Sequence, residues 1–105
     1  MIVVTICYRE GINTDYYFAH HVPRSQVLMK PLGLLRAETR SLLAGQDGSK
    51  PPYEVVTSLY FADMESFQSC MAHPDLAELL ADAPNFYTGI PEIYVGAVLI
   101  EANYQ

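Results

Sequence analysis

The residues best suited to chemistry lie in one short stretch, residues 16–23, which reads YYFAHHVP. In a helix, His21 follows Tyr17 by four residues, so the two side chains share one face. A free imidazole titrates near about pH 6.5 and can move a proton at neutral pH. His21 is therefore the candidate general acid/base; the alternative is a histidine that only satisfies a backbone carbonyl or caps a helix. His20 points about 100° away and is expected to face solvent.

Pro23 determines the local structure expected around these histidines. Proline lacks a backbone N–H and crowds the preceding helical turn, so it fits poorly inside a continuous helix and well at a first helical position. The sequence therefore predicts two helical pieces, at about residues 14–20 and 23–30. His20 and His21 would lie at the break between them, where a side chain can meet a ligand.

The rest of the chain predicts an α+β fold of the ferredoxin-like type. β-Branched and alternating apolar residues indicate strands at residues 2–8, 34–44, 53–61 and 91–101. A second helical region begins after Asp63, restarts at His73-Pro74 and ends near residue 82, with loops at 45–52 and 83–89. The order β-α-β-β-α-β predicts a four-stranded antiparallel sheet with the helices on one face.

The composition is that of a single domain, residues 1–105, without a nucleic-acid or membrane partner. Six Lys and Arg against twelve Asp and Glu give a net charge of −6. This negative charge disfavours binding to nucleic-acid phosphates and to anionic lipids. No apolar run approaches the roughly 20 residues of a membrane span, and the N-terminus reads as a strand rather than a signal peptide. Cys7 and Cys70 predict two buried thiols, and a cytoplasmic location is expected.

The predicted sheet has a second face that no helix covers. Alternate residues of the last strand are apolar on both sides, so this face is expected to be apolar. An exposed apolar patch on a small protein usually marks an interface. We therefore predict a homodimer joined sheet to sheet.

Several short motifs follow one another along almost the whole chain. They are Tyr8 at the end of the first strand, Asp15-Tyr16-Tyr17, His21-Val22-Pro23, Pro51-Pro52-Tyr53, Leu59-Tyr60-Phe61, Phe67, and the run from Asp82 to Tyr87 before Pro91. In order and spacing they resemble the EthD family, named for a protein of ethyl tert-butyl ether degradation. The resemblance implies a dimeric α+β barrel. It implies no single reaction, because members occur in degradation operons and in natural-product pathways, as the RedY-like proteins do.

The resemblance also implies site residues. The family's helix histidine matches His21, and its acidic loop motif matches Asp82 and Asn85. A carboxylate at Asp82 could orient His21 and fix the tautomer of its ring. The alternative is structural, because Asp and Asn also end helices and form Asx-turns.

Five further side chains could bind a substrate, and Asn85 of the loop motif is one of them. Tyr17 and Tyr87 could contact a substrate oxygen or nitrogen, and Tyr60 could line an aromatic cleft, although tyrosines also commonly lie at the edge of a core. Arg24 could hold an anionic or carbonyl group, or lie solvated on the surface. Arg24 stands where relatives often carry Leu, and Gly96-Ala97 where they often carry polar residues, which leaves the substrate open.

No cofactor is expected. His20, His21 and His73 lack the HxH or HExxH spacing of a metal site, and there is no glycine-rich phosphate loop. No Ser/His/Asp or Cys/His nucleophilic set is evident. A haem bound through His21 would be chemically possible, but no other residue indicates one.

Two functions remain open for a small-molecule pocket at His21. The first is a small cofactor-independent enzyme that acts on an apolar, aromatic or heteroaromatic metabolite of a degradation or natural-product pathway. Its common step would be proton abstraction beside a carbonyl. The second is a non-catalytic binding or accessory protein that carries a pathway intermediate in the same pocket.

Overall fold

Four antiparallel strands form one sheet in the computed structural model, which describes residues 1–104. The strands are β1 (Ile2–Tyr8), β2 (Arg36–Ser41), β3 (Val55–Phe61) and β4 (Glu92–Ala97), in the spatial order β2-β3-β1-β4. Val4 of β1 lies between Leu59 of β3 and Val95 of β4. The predicted β-α-β-β-α-β order is confirmed. The last three strands are shorter than predicted, because the apolar patterns continue into the loops that flank them.

Two helical runs connect the strands. The first run comprises α1 (Thr14–Tyr16), a π-helical turn (Tyr17–His21), α2 (Val22–Met29) and a 3₁₀ turn (Lys30–Leu32). The second run comprises α3 (Met64–Met71), a 3₁₀ turn (Pro74–Leu76), α4 (Ala77–Asp82) and a 3₁₀ turn (Ala83–Asn85). Asn13 and Asp63 cap the runs, since their side chains accept hydrogen bonds from backbone N–H groups one turn later.

The predicted break at Pro23 is absent, and the first run passes through this proline as one helix. Tyr17, His21 and Val22 all have right-handed helical backbone angles. The Val22 N–H donates to the Tyr17 carbonyl, five residues back instead of four. A proline ring clashes with the carbonyl four residues before it in a regular α-helix, here that of Ala19. The wider π turn relieves that contact, which is why the helix can continue.

The core lies between the sheet and the helical runs. Its larger cluster includes Phe61 of β3 and Cys70 of α3, both fully buried. Its smaller cluster gathers the side chains around the π turn, including Tyr17 and Val55. Both clusters use the same face of the sheet, so the helices cover that face only.

The uncovered sheet face is mixed in polarity, and the prediction of an apolar face was wrong. Along β2, Glu38 forms ion pairs on this face with Arg36 at 2.9 Å and with Arg40 at 3.1 Å. Thr5 and Ser58 continue the row on β1 and β3, opposite Glu38 in the register. The last strand alone has the apolar pattern that predicted such a face, whereas the other strands place charged and hydroxyl side chains here.

Exposed apolar side chains concentrate on β4 and on the chain that follows it. Ile93, Tyr94 and Val95 are about half exposed, and Leu99 and Ile100 are about nine-tenths exposed. β4 is an edge strand, so its outer backbone groups are also available for pairing.

Cys7 and Cys70 should be unreactive in the folded protein. Both are free and buried, as the sequence predicts, and burial raises the pKa of both thiols. Because the thiolate is the reactive form, neither should react with 5,5′-dithiobis(2-nitrobenzoic acid) at neutral pH. Both should react at once in concentrated urea. A native thiol that reacted as fast as free cysteine would contradict this packing.

Candidate active site

The Asp82 carboxylate connects the two helical runs. Its Oδ1 accepts hydrogen bonds from the Tyr16 hydroxyl at 2.5 Å and the Asn85 carboxamide at 3.0 Å. Its Oδ2 lies 2.9 Å from Nδ1 of His21. Tyr16 and His21 belong to the first run, and Asp82 and Asn85 lie at the end of the second. Both carboxylate oxygens are therefore hydrogen-bonded, and Oδ1 has one donor from each helical run.

The protonation of this group follows from its hydrogen bonds. Donation from Tyr16 and then Asn85 lowers the pKa of Asp82 to about 2, and His21 acts in the same direction. The same contact raises the pKa of the Tyr16 phenol, because its neighbour is a carboxylate. An ionised carboxylate can only accept hydrogen bonds. A neutral His21 therefore carries its proton on Nδ1, and Nε2 has a free lone pair.

His21 is packed among aromatic rings. Its ring centroid lies 4.4 Å from that of Phe86 and 5.5 Å from that of Tyr17, with an angle of 19° between the planes of His21 and Tyr17. The side chain is only 13 % exposed. Within residues 1–104, the hydrogen bond to Asp82 is the only one that the ring makes. The imidazole is thus fixed in place with one nitrogen available.

An apolar cleft of about 340 Å³ lies between the helical runs and the sheet, with His21 in its wall. The cleft residues are Val4, Ile6, Tyr8, His21, Met29, Leu59, Phe67, Met71, Leu76, Leu79, Leu80, Ala83, Phe86, Pro91 and Ile93. Only His21 and Tyr8 among them carry side-chain nitrogen or oxygen. Small-molecule sites share this pattern of apolar walls with few polar groups, and the volume falls in their usual range.

Two of the predicted residues, Tyr17 and Tyr87, lie close to the site but outside the cleft wall. The Tyr17 hydroxyl is hydrogen-bonded to Thr57 at 2.6 Å, and its ring supports His21. Tyr87 packs edge-on against Tyr8 at 5.3 Å, and its hydroxyl accepts the backbone N–H of Arg9 at 3.2 Å. Both tyrosines therefore contact residues of the site, while their hydroxyls already have protein partners.

Arg24 and Tyr60, also predicted, lie apart from His21. Nη2 of Arg24 lies 2.9 Å from Oε1 of Glu78, in an ion pair that is half exposed and outside the cleft. Tyr60 is on the uncovered sheet face, where the Arg36 guanidinium lies 4.6 Å from its ring centroid. The structure thus brings His21, Asp82 and Asn85 together and leaves Tyr60 elsewhere, whereas Arg24 lines a second pocket, of about 360 Å³, together with Asp82 and Asn85.

Sequence reasoning missed the placement of Tyr8, Phe86 and Tyr16. Tyr8 was recoverable, because it continues the every-second-residue pattern of Val4 and Ile6 onto the same face of β1. The ring of Phe86 contacts that of His21 because the end of the second helical run packs against the first run. This contact joins residues that are far apart in the sequence. The role of Tyr16 depends on the π turn, which the sequence did not predict.

The family of the chain follows from comparison with known proteins. Residues 13–90 match the family model of the EthD domain. The chain belongs to the EthD family. No curated protein matches its sequence.

Solved structures share the fold across nearly the whole EthD-family chain. An EthD-like protein from Ralstonia eutropha JMP134 superposes with a TM-score of 0.83 at 21% identity, covering 96% of this chain and 94% of the other. HapK from Hahella chejuensis gives 0.71 at 14% identity, covering 100% and 99%. SnoaB from Streptomyces nogalater, a cofactor-independent oxygenase, gives 0.67 at 14% identity, covering 95% and 93%. At these identities the likeness shows the fold alone.

The described residues form neither a metal-binding cluster nor a membrane-spanning helix. Within residues 1–104, no three or more His, Cys, Asp or Glu side chains are grouped so that they could hold a metal ion. None of the helices in that range has the length and apolar character that crossing a bilayer requires.

Removing the Asp82 carboxylate should destabilise the fold in a pH-dependent way. Its folded-state pKa is lowered from 3.8 to about 2, so the stabilisation is present above about pH 4 and is lost as the pH falls toward 2. Asp82→Asn should reduce the free energy of unfolding near neutral pH by on the order of 1–2 kcal/mol. Urea titrations at several pH values measure this.

The difference between wild type and Asp82→Asn should shrink below about pH 4. Glu65→Gln, which removes an exposed carboxylate, is the charge-matched control and should change stability little. A difference that stays constant down to about pH 2 would contradict the ionised, hydrogen-bonded carboxylate.

Proposed function

We propose that this protein is a small enzyme that uses no cofactor and transfers a proton to His21 from an apolar, aromatic or heteroaromatic metabolite. One observation carries the proposal: Nδ1 of His21 is held by an ionised carboxylate while its ring forms part of an apolar cleft. This is the arrangement of a general base with an orienting partner.

The proposed step is abstraction of a proton from carbon beside a carbonyl. The C–H electron pair passes into the carbonyl to give an enolate, and the proton goes to Nε2 of His21. The imidazolium that forms lies 2.9 Å from Asp82, and the nearby negative charge stabilises it, as in other histidine–carboxylate pairs. Asn85 and Asp82 position the base, and Tyr17 supports its ring.

The cleft favours a flat apolar substrate with few polar groups. Its walls are aliphatic and aromatic, and Tyr8 is the one other side chain able to hydrogen-bond there. Burial raises the pKa of the Tyr8 phenol, and so does its hydrogen bond to Tyr17, so the phenol stays neutral. Because Tyr8 donates to Tyr17, its oxygen is left to accept a hydrogen bond from a substrate hydroxyl. Arg24 and Tyr60 do not line this cleft.

The family supports this function at a general level. One structural relative, SnoaB, is a cofactor-independent oxygenase, and the EthD resemblance suggests a degradation or natural-product pathway. The two free thiols agree with a reducing cytoplasm, which is the proposed location. A binding or accessory role is the second candidate, because a cleft with only two polar side chains would retain a ligand without chemistry.

Deuterium exchange into a bicyclic ketone tests the proton transfer without knowledge of the natural substrate. In deuterated buffer, 2-tetralone should exchange its acidic C–H protons faster with the wild-type protein than with buffer alone, as followed by proton NMR. His21→Gln should lose on the order of 10²-fold or more of this acceleration, the usual contribution of a general base. His20→Gln is the matched control, since His20 is exposed.

Each result of the exchange experiment bears on the proposal. If 2-tetralone shifts the NMR signals of cleft residues without faster exchange, the accessory role replaces the catalytic one. Exchange that survives in His21→Gln contradicts the role of His21. Absence of both binding and exchange contradicts the proposed substrate class.

We also propose that the protein is a homodimer that buries β4 and the chain after it. The exposed apolar residues of this region favour an interface with a second copy. Because Ile93 and Val95 lie on the helix side of the sheet, opposite Ile6 and Val4, this interface lies at the β4 edge and not sheet to sheet. Three exposed residues at the edge of the cleft, Met71, Leu80 and Ile93, are also apolar. Association would therefore cover surface next to the proposed site.

Light scattering after size-exclusion chromatography measures the association. Wild type at micromolar concentration should have twice the monomer mass, and the double variant Leu99→Asp/Ile100→Asp should shift toward monomer because it places two charges in the apolar surface. Val27→Asp, on the exposed side of α2, should remain dimeric. A monomeric wild-type protein would rule out this assembly.

A further inference from the structure

Tyr16 holds the oxygen of Asp82 that His21 leaves free. Its hydroxyl donates to Oδ1 at 2.5 Å, and the Asn85 carboxamide nitrogen lies 3.0 Å from the same oxygen and 3.4 Å from the Tyr16 hydroxyl. Without Tyr16, Oδ1 would keep only the longer bond from Asn85, which lies on the same helical run as Asp82, and the carboxylate could rotate more freely about its side-chain bonds. Bonds at both oxygens fix its plane, and with it the direction of the His21 ring.

The π-helical turn is what allows Tyr16 and His21 to reach one carboxylate. They are five residues apart, and in a regular α-helix such residues point about 140° from each other. The π turn adds a residue to the turn between them, which brings them onto one face. π turns occur frequently at functional sites, and here the turn places two donors against Asp82.

We infer that Tyr16 is a positioning residue: acting through Asp82, its hydroxyl fixes the orientation in which His21 meets the cleft. Tyr16 does not line the cleft, so it does not contact a ligand there. The inference rests on the proposed function for its effect on rate, but not for its effect on Asp82, which can be measured in the ligand-free protein.

The other charged groups near Asp82 have partners of their own. Glu78, one turn earlier on α4, is paired with Arg24. The His20 ring lies 4.9 Å from the Tyr16 ring. A change confined to the Tyr16 hydroxyl leaves these contacts in place, so any altered titration of Asp82 can be assigned to the lost hydrogen bond.

Tyr16→Phe removes the hydroxyl and keeps the ring contacts with His20 and Phe86. Carbon-13 NMR of the Asp82 carboxyl group should show its titration midpoint rising from about 2 toward 3.8. In the 2-tetralone assay, kcat for exchange should fall by about five-fold with KM unchanged, because the base is displaced while the cleft is intact. Tyr60→Phe, on the uncovered sheet face beside Arg36, should change neither quantity.

The outcomes separate this inference from the proposed function. An unchanged Asp82 midpoint overturns the inference, because Tyr16 would not then hold the carboxylate. A raised midpoint with unchanged exchange also overturns it, while leaving His21 as the base. If the wild-type protein catalyses no exchange, the proposed function fails, and positioning of a base fails with it even where the midpoint rises. A fall in kcat shared by Tyr60→Phe would show a general structural effect and overturn the inference as well.

Discussion

The geometry of the site depends on one carboxylate that links two stretches of chain more than sixty residues apart, as the separations of its hydrogen-bonded pairs show. Asp82 fixes the end of the second helical run against the π turn of the first. A carboxylate in this partly buried position loses hydration, which is costly unless its oxygens are hydrogen-bonded. Tyr16, Asn85 and His21 offset that cost, and hydrogen bonds to charged acceptors are among the stronger ones. The contact between Asp82 and His21 also determines that a neutral His21 carries its proton on Nδ1.

The cleft and the carboxylate depend on each other. The two helical runs contribute the upper walls of the cleft, and β1 and β3 contribute its floor through Val4, Ile6 and Leu59. Asp82 connects the runs on the side away from the apolar space, so the polar network does not intrude into the cleft. His21 lies between the two regions and belongs to both. An apolar site with a single fixed base is the result.

Much of the fold could be predicted from the sequence, because period-two apolar residues and turn residues determine the strands and their order. The site could be predicted in part: His21 and Asp82 were proposed together, and they are hydrogen-bonded. The π turn could not be predicted, since Pro23 is compatible with either a break or a wider turn, and the choice depends on packing against Phe86 and Asp82. The partners of Arg24 and Tyr60, and the mixed sheet face, likewise depend on contacts between distant residues.

The central claim is that His21 presents an unprotonated Nε2 to the cleft because Asp82 holds the proton on Nδ1. Nitrogen-15 NMR of the imidazole side chains in the labelled wild-type protein tests it most directly, with the His21 signals assigned by their loss in His21→Gln. At a pH where the ring is neutral, the account predicts a protonated Nδ1 and an unprotonated Nε2. A neutral ring protonated at Nε2 would contradict it.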